Sequence, residues 1–539
     1  MPVYLLLAIT AAVGDARNPL PPQIDRLIAA GHPEFAKLAA PQCGDEEFVR
    51  RVHLDLTGTI PAAAEVRAFL ADHSPGKRTR LINQLLDSPG YVRRMVWFYD
   101  VTLMERRRDQ KVPRADWEKY LRTVVTENRP YDAFVRELLS SDGSNPQTRP
   151  AAKFLLDRDL EPNLVTRDIG RVFLGRNLTC AQCHDHPTID DYTQDEYYGI
   201  QAFLNRAYLF PNANDAKASI GEKAEGDVNF VSVFDKTKKQ NTATPKIRGV
   251  KPVAEAKPEK GKEYKTAPTK DARGVPAVSR RELLATAITS RDNPAFARTA
   301  VNRVWAMMMG RGLVDAPDWD HPANPPSHPE LLDLLTAEFV KHNYDLKWLA
   351  RQIALTEAYQ RSSELTPELT KLDLVPPDQY LVAILKPLAP EQLAYALAEA
   401  GGQNEADRGS MQKLGAKGAY AVDGSIDARN APRLAQFRTV FGARPGEAEG
   451  FSATLDQTLF LKYNQAVRGL IAPRAAALAR LADPDAVAEE LFLSVLSRRP
   501  TAEEKKDVAA ALNGAADRPA AMSELVWALV ASAEFRFNH

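Results

Sequence analysis

The sequence predicts a mainly α protein, with two helical domains and, between them, a small β-containing insertion and a charged linker. Three observations carry this reading. Apolar residues recur at helical spacing as far as Leu204, the periodicity vanishes between about Asn212 and Val278, and it resumes at Ser279. With 539 residues and 44% hydrophobic content, the chain is too long for one compact core. It divides into 1–20, an export segment; 21–211, a helical domain; 212–278, the insertion and linker; and 279–539, a second helical domain.

The apolar run Val3 to Gly14 is too short to span a bilayer. It has the length and small-residue exit of a signal-peptide core, although no lysine or arginine precedes it. The expectation is export to the periplasm or cell envelope, with no membrane span in the mature chain. Further on, Leu81, Ile82, Leu85 and Leu86 share a helical face that Ser88-Pro89 stops. Trp117, Tyr120, Leu121, Val124 and Val125 repeat the pattern, as do Tyr131, Phe134, Val135, Leu138 and Leu139. Thr193 and Glu196 stand at capping-box spacing before a helix carrying Tyr197, Ile200, Phe203 and Leu204.

Within the insertion, Val228 to Phe234 (VNFVSVF) alternates as a strand does, and Lys257 to Lys270 reads as an extended linker. Ser279 with Glu282 and Ser327 with Glu330 have capping-box spacing. Asn293-Pro294 opens a helix whose inner face is Phe296, Ala300, Val301, Val304, Trp305 and Met308. Leu331, Leu334, Leu335 and Phe339 line the next one. Val487, Leu491 and Val495 share a face near the C-terminus, as do Leu525 and Leu529.

Lysine plus arginine equal aspartate plus glutamate at 70 each, so no global field attracts nucleic acid or an anionic membrane. No glycine-rich phosphate cradle, nucleophile elbow or zinc-protease helix occurs. The three cysteines, Cys43, Cys180 and Cys183, are too few for a disulfide-built scaffold.

Cys180, Cys183 and His184 form a Cys-x-x-Cys-His motif in the string TCAQCHDHP, on a loop between two predicted helices. Two thiols at this spacing can each attach to a porphyrin vinyl group, with the next residue as axial imidazole, so haem c is the first cofactor expected. His186 follows one residue later. Cys180, Cys183, His184 and His186 are therefore also a complete ligand set for zinc or iron. A structural thiol pair or disulfide is the third reading. Asp185, Asp190 and Asp191 are placed either to orient the imidazoles or to cap the loop. Neither histidine nor methionine occurs between His186 and Met307, so a second axial ligand would come from His53, Met95 or Met104, or from Met307, Met308, Met309, His321 or His328.

A possible second site is the proline-stiffened loop from Asp318 to Glu330, where Asp318, Asp320, His321, Asn324 and His328 collect carboxylate, amide and imidazole groups. They suit a ligand or a general base, or else capping and loop hydrogen bonds. Asn302 and Arg303 stand where they could reach the same loop. If it docks over TCAQCHDHP, the site lies at the domain interface.

The strings CGDEEFVRRVHLDLTG (43–58), RPYDAFVRELL and FLGRNLTCAQCHDHPTIDDYTQDEYYGIQAF resemble the cytochrome-like domain of unknown function abundant in planctomycetes. NPAFARTAVNRVW, GRGLVDAPDWDHPANPPSHPELLDLL, YDLKWLARQIALTEAYQRSS and the closing EFRFNH resemble the planctomycete C-terminal domain of unknown function that usually follows it. Thr188 and Tyr192 depart from the Phe and Trp common in that family. The resemblance implies export and a partner of redox or secreted sulfatase-like type; it names no activity. Three readings are open: an exported haem protein in redox or ligand-sensing work, a metal-dependent envelope enzyme acting on polysaccharides or their sulfated derivatives, and a non-catalytic interaction protein with structural thiols.

Overall fold

The computed structural model describes every residue except 1–18, 212–217, 253, 414–417 and 444–453, so the expected signal core lies outside the described residues. At its centre is the helix Asp45–Thr57, in which every residue from Phe48 to Thr57 is buried. Asp45, Glu46 and Glu47 sit at its positive end, and Gly58 ends it in the left-handed region at φ 76°. A surface helix shows one apolar stripe; this one is enclosed on all sides and carries Arg50, Arg51, His53 and Asp55 inward.

Those buried charges are matched by the far end of the chain. Arg50 donates to the carbonyls of Val495 (3.2 Å) and Phe535 (3.0 Å), and Arg51 to those of Tyr359 and Arg361 (both 2.7 Å). Asp55 accepts from Tyr359 Oη at 2.9 Å, Asn538 Nδ2 at 2.8 Å and Lys386 Nζ at 2.5 Å. Burial pushes the Arg50 guanidinium down to about 10.

Two apolar cores lie on either side of this helix. One runs without a break from Leu20 through Leu204 and Leu284 to Tyr380, taking Phe48, Val49, Val52 and Leu56; the other joins Leu54, Ile60 and Trp97 to residues from Leu393 to Phe535. Leu493 apart, which packs in the first core, the boundary falls between Tyr380 and Leu393, well inside the segment 279–539. The reason is visible in helix Arg280–Ile288, which lies against helix Tyr131–Ser140, and in helix Pro294–Met309, which lies against helix Pro162–Leu174.

The predicted amphipathic helices are present as Lys77–Leu86, Arg114–Thr126, Tyr131–Ser140, Gln194–Leu204, Pro294–Met309 and Pro329–Lys341. Ser88 does more than stop a helix: its Oγ accepts from Tyr91 N at 3.2 Å and caps the next one, Pro89–Met104. Among the described residues the insertion holds five short strands, all in antiparallel pairs, and is more chain than strand; Ser219–Glu222 pairs with Ala207–Phe210 just before it. Val228–Phe230 pairs with Asn241–Ala243, so the strand expected over 228–234 is shorter than its pattern. Tyr264–Thr266, within the expected linker, pairs with Val275–Pro276. Among the described residues no helix is long and apolar enough to cross a membrane.

Two caps differ from expectation. Thr193 Oγ1 does accept from Glu196 N at 3.3 Å, but Glu196 turns away to pair with Arg176 at 2.7 Å, leaving half a capping box. Ser327 caps nothing: His328 holds the N-cap position of Pro329–Lys341 and makes no side-chain cap bond.

Gly175 ends helix Pro162–Leu174 at φ 66°, and a Cβ there would lie 2.8 Å from Thr299 Oγ1 and 3.3 Å from the Pro317 carbonyl. Only glycine meets both the backbone conformation and the close approach of the second segment. Gly175→Ala should lower unfolding free energy by about 2 kcal/mol or more, the left-handed penalty plus the displaced contact. Gly514→Ala, at a helix end with nothing within 4 Å, should stay within about 0.5 kcal/mol in the same urea titration.

Candidate functional site

The motif loop starts from an anchor. Leu178 and Ala181 are fully buried, while Cys180 and Cys183 on the same turn are exposed free thiols. Cys180–Gln182 is a single 3-10 turn, closed by Cys183 N donating to the Cys180 carbonyl at 3.1 Å. Asn177 Oδ1 accepts from Thr179 Oγ1 at 2.7 Å and starts the turn. Cys43 is elsewhere: it is buried beside Arg51, its amide donates to the Gln360 carbonyl at 2.8 Å, and burial pushes its thiol up.

The two histidines of the motif have opposite tautomers. His184 Nδ1 lies 2.7 Å from the Asp185 carbonyl. A carbonyl only accepts, so Nδ1 carries the proton and the Nε2 lone pair is free, the arrangement a metal-ligating imidazole needs. His186 Nδ1 instead accepts from the amides of Thr188 (3.2 Å) and Ile189 (3.1 Å), which puts its proton on Nε2. His186 closes the loop as a cap. It cannot bind a cation through Nδ1 without opening that turn. Among the described residues no group of three or more His, Cys, Asp or Glu side chains gathers as a cation site.

The aspartates orient neither ring with their carboxylates. Asp185 Oδ1 caps helix Gln194–Leu204 by accepting from Gln194 N at 2.7 Å, Asp191 pairs with Arg176 at 2.8 Å, and Asp190 is exposed. Arg176 holds the whole loop, since it also pairs with Glu196 and lies 4.7 Å over the Tyr192 ring. Burial opposes its charge, but Glu196 and Asp191 outweigh burial and raise its pKa.

A cover beside the motif was not read from the sequence. The Val233 amide donates to the Cys183 carbonyl at 3.1 Å, Phe230 stacks on Tyr198 at 4.3 Å, and the Phe234 ring is 4.7 Å from that of His184. Val231, Val233 and Phe234 nevertheless remain 38%, 65% and 72% exposed. The signal was present in the apolar residues of VNFVSVF, although the strand ends at Phe230 and Phe234 follows in a turn.

The second loop does dock on this region, but not as one cluster. Asp320 N donates to the Gly175 carbonyl at 2.9 Å, Trp319 bridges to Arg176, and the His321 ring packs edge-on to Tyr192 at 5.4 Å. Tyr192 in turn meets the His186 ring at 6.0 Å. Asp320 pairs with Arg298 at 2.8 Å, and Asp318 with Arg303 and Arg171. Asn302 bonds both polar atoms of Val314, at 2.8 and 3.0 Å, tying the loop to its helix. Asn324 spends its amide on the carbonyls of Trp319 (2.8 Å) and Asp315 (3.1 Å). His328 faces away, against Gly31 and Tyr380. Of the distal-ligand candidates, His53, Met95, Met104, Met308 and Met309 are buried in the helical interior, Met307 packs half-buried against the same core, and His321 reaches the motif's neighbourhood through Tyr192.

Residues 23–208 match the family model PSCyt2, described as a protein of unknown function (DUF1549), and residues 280–512 match PSD1, likewise of unknown function (DUF1553). The chain belongs to this two-domain arrangement. No curated protein and no solved structure matches it significantly.

Burial holds the His321 pKa below its ordinary 6.5, and His186 adds to the shift while Asp191 opposes it. A depressed folded-state pKa means that the unfolded chain binds the extra proton first. His321 therefore stabilises the docked loop fully above pH 6.5 and progressively less as pH falls toward its lower folded value. Unfolding free energy measured from pH 8 to pH 5 should fall less steeply in His321→Gln than in the parent; identical slopes would remove His321 from the account.

Proposed function

We propose that this member of the DUF1549 and DUF1553 pairing is an exported carrier of covalently attached haem c at the cell envelope, working in redox or ligand-binding chemistry. The observation that carries the reading is the His184 imidazole: its Nδ1 proton is committed to the Asp185 carbonyl at 2.7 Å, and its Nε2 lone pair is free. Around it the residues present suit the group. Cys180 and Cys183 are free, exposed and on one turn, where each sulfur could form a thioether. Val231, Val233 and Phe234 supply an exposed apolar surface, of the kind that marks a binding site for a flat hydrophobic ligand.

Haem bound there would supply an iron centre for electron exchange or for a small diatomic ligand. The chain's own contribution is to hold. Arg176 and the His186 turn fix the loop, Asp185 fixes the ring of His184, and the 228–234 segment shields one side of that ring from water. A zinc or iron site on Cys180, Cys183, His184 and His186 is the weaker reading, because His186 would have to surrender two backbone hydrogen bonds worth about 1 kcal/mol each.

Produced in a host with a cytochrome c maturation system, the full chain should retain haem through denaturation and give a reduced pyridine haemochrome band. Cys180→Ala with Cys183→Ala should abolish the retained haem. Phe234→Asp should lower haem occupancy severalfold with helical circular dichroism unchanged. A chain that carries no haem under these conditions contradicts the proposal, and stoichiometric zinc, or stoichiometric iron without a haemochrome band, would establish the other reading.

A further inference from the structure

Where the two cores meet, a cleft of about 540 Å³ opens between helix Pro89–Met104, helix Pro294–Met309 and the segment from Leu385 to Gln392. That is the size of a small-molecule site. Its walls carry six basic and five acidic side chains. Every acid is already matched. Asp55 accepts from Lys386 at 2.5 Å, Glu391 from Arg106 at 2.8 Å, and the other three each pair with a further arginine of the wall.

Arg94 is left over. Among the described residues it makes no hydrogen bond or ion pair, and its Nε is buried without an acceptor. Asn538 lines the same cleft with its Oδ1 buried and without a donor, while its Nδ2 is committed to Asp55 at 2.8 Å. Arg94 is half-buried and Asp55 and Glu391 act on it only from a distance, so its guanidinium is open to a charged partner, and the orphaned Asn538 carbonyl is open to a donor.

We propose that the cleft binds a small polar acid whose oxyanion head pairs with the Arg94 guanidinium and whose body offers a hydroxyl or amine to Asn538 Oδ1. The planar fork of arginine matches a carboxylate, sulfate or phosphate with two parallel hydrogen bonds, which a lysine would not do. Trp97 and Phe98 give the body of the ligand an apolar wall. Burial, which disfavours the charged guanidinium here, is opposed by Asp55 and Glu391 from a distance. This site stands apart from the haem proposal and does not depend on it, although the chain from Asp318 to His321 runs from the cleft wall to the motif loop.

The test is calorimetric titration of the full chain with glucuronate and with its neutral amide, alongside inorganic sulfate and phosphate. Glucuronate should bind at least tenfold more tightly than the amide, and Arg94→Gln should abolish that preference while Arg94→Lys keeps part of it. Tighter binding of sulfate or phosphate than of glucuronate would assign the head group as one of those oxyanions. Equal binding of acid and amide to the parent chain, or binding of all the anions weaker than about 1 mM, would overturn the proposal. The parent comparison decides even if Arg94→Gln fails to fold.

Discussion

Burying the charges of one helix is the constraint from which the rest of this structure follows. Arg50, Arg51 and Asp55 on Asp45–Thr57 leave water on folding, and each would cost several kcal/mol unpaired. The partners that offset this cost come from Tyr359, Arg361, Lys386, Val495, Phe535 and Asn538, hundreds of residues away. The first family segment therefore carries a polar core satisfied largely by residues that follow residue 280. Two segments that match separate family models make one folding unit, with a core continuous from Leu20 to Tyr380.

The same interlocking sets the motif loop. Gly175 lets the chain turn against Thr299 and Pro317, Asp320 closes on the Gly175 carbonyl, and Arg176 then gathers Asp191, Glu196 and Tyr192 beneath the loop. The exposed thiols and His184 are carried on a rigid base drawn from both segments, whereas the apolar cover at 231–234 is held by few contacts. Rigid base and loosely held cover are what a site that must admit a large planar group requires.

Much of the fold was legible because apolar residues at helical spacing report burial on one face: Tyr131, Phe134, Val135, Leu138 and Leu139 are all in the core. Helix Asp45–Thr57 was not, since its buried arginines and aspartate look like a solvated face until their distant partners are known. Capping spacing was an incomplete guide. Ser327 has the right spacing and caps nothing, because its hydroxyl meets the His328 ring and the chain bends there to pack on Gly31, and Glu196 is taken by Arg176. The motif residues were legible from spacing alone, but the difference between His184 and His186 depends on which backbone groups face each ring, which no spacing encodes. The sequence offers the whole loop from Asp318 to Glu330 as a neighbour of the motif; His321 is one, and His328 is not, because its ring fills the space beside Gly31.

A shared core requires the two segments to unfold together, and native-state hydrogen exchange in rising urea measures this directly. Amides of helix Asp45–Thr57, of helix Pro162–Leu174 and of helix Pro294–Met309 should converge on one unfolding isotherm with one denaturant slope, because all three bury residues in the same apolar core. Separate isotherms, with the amides before residue 208 opening independently of those after 280, would contradict a shared core and return the molecule to two domains that merely touch.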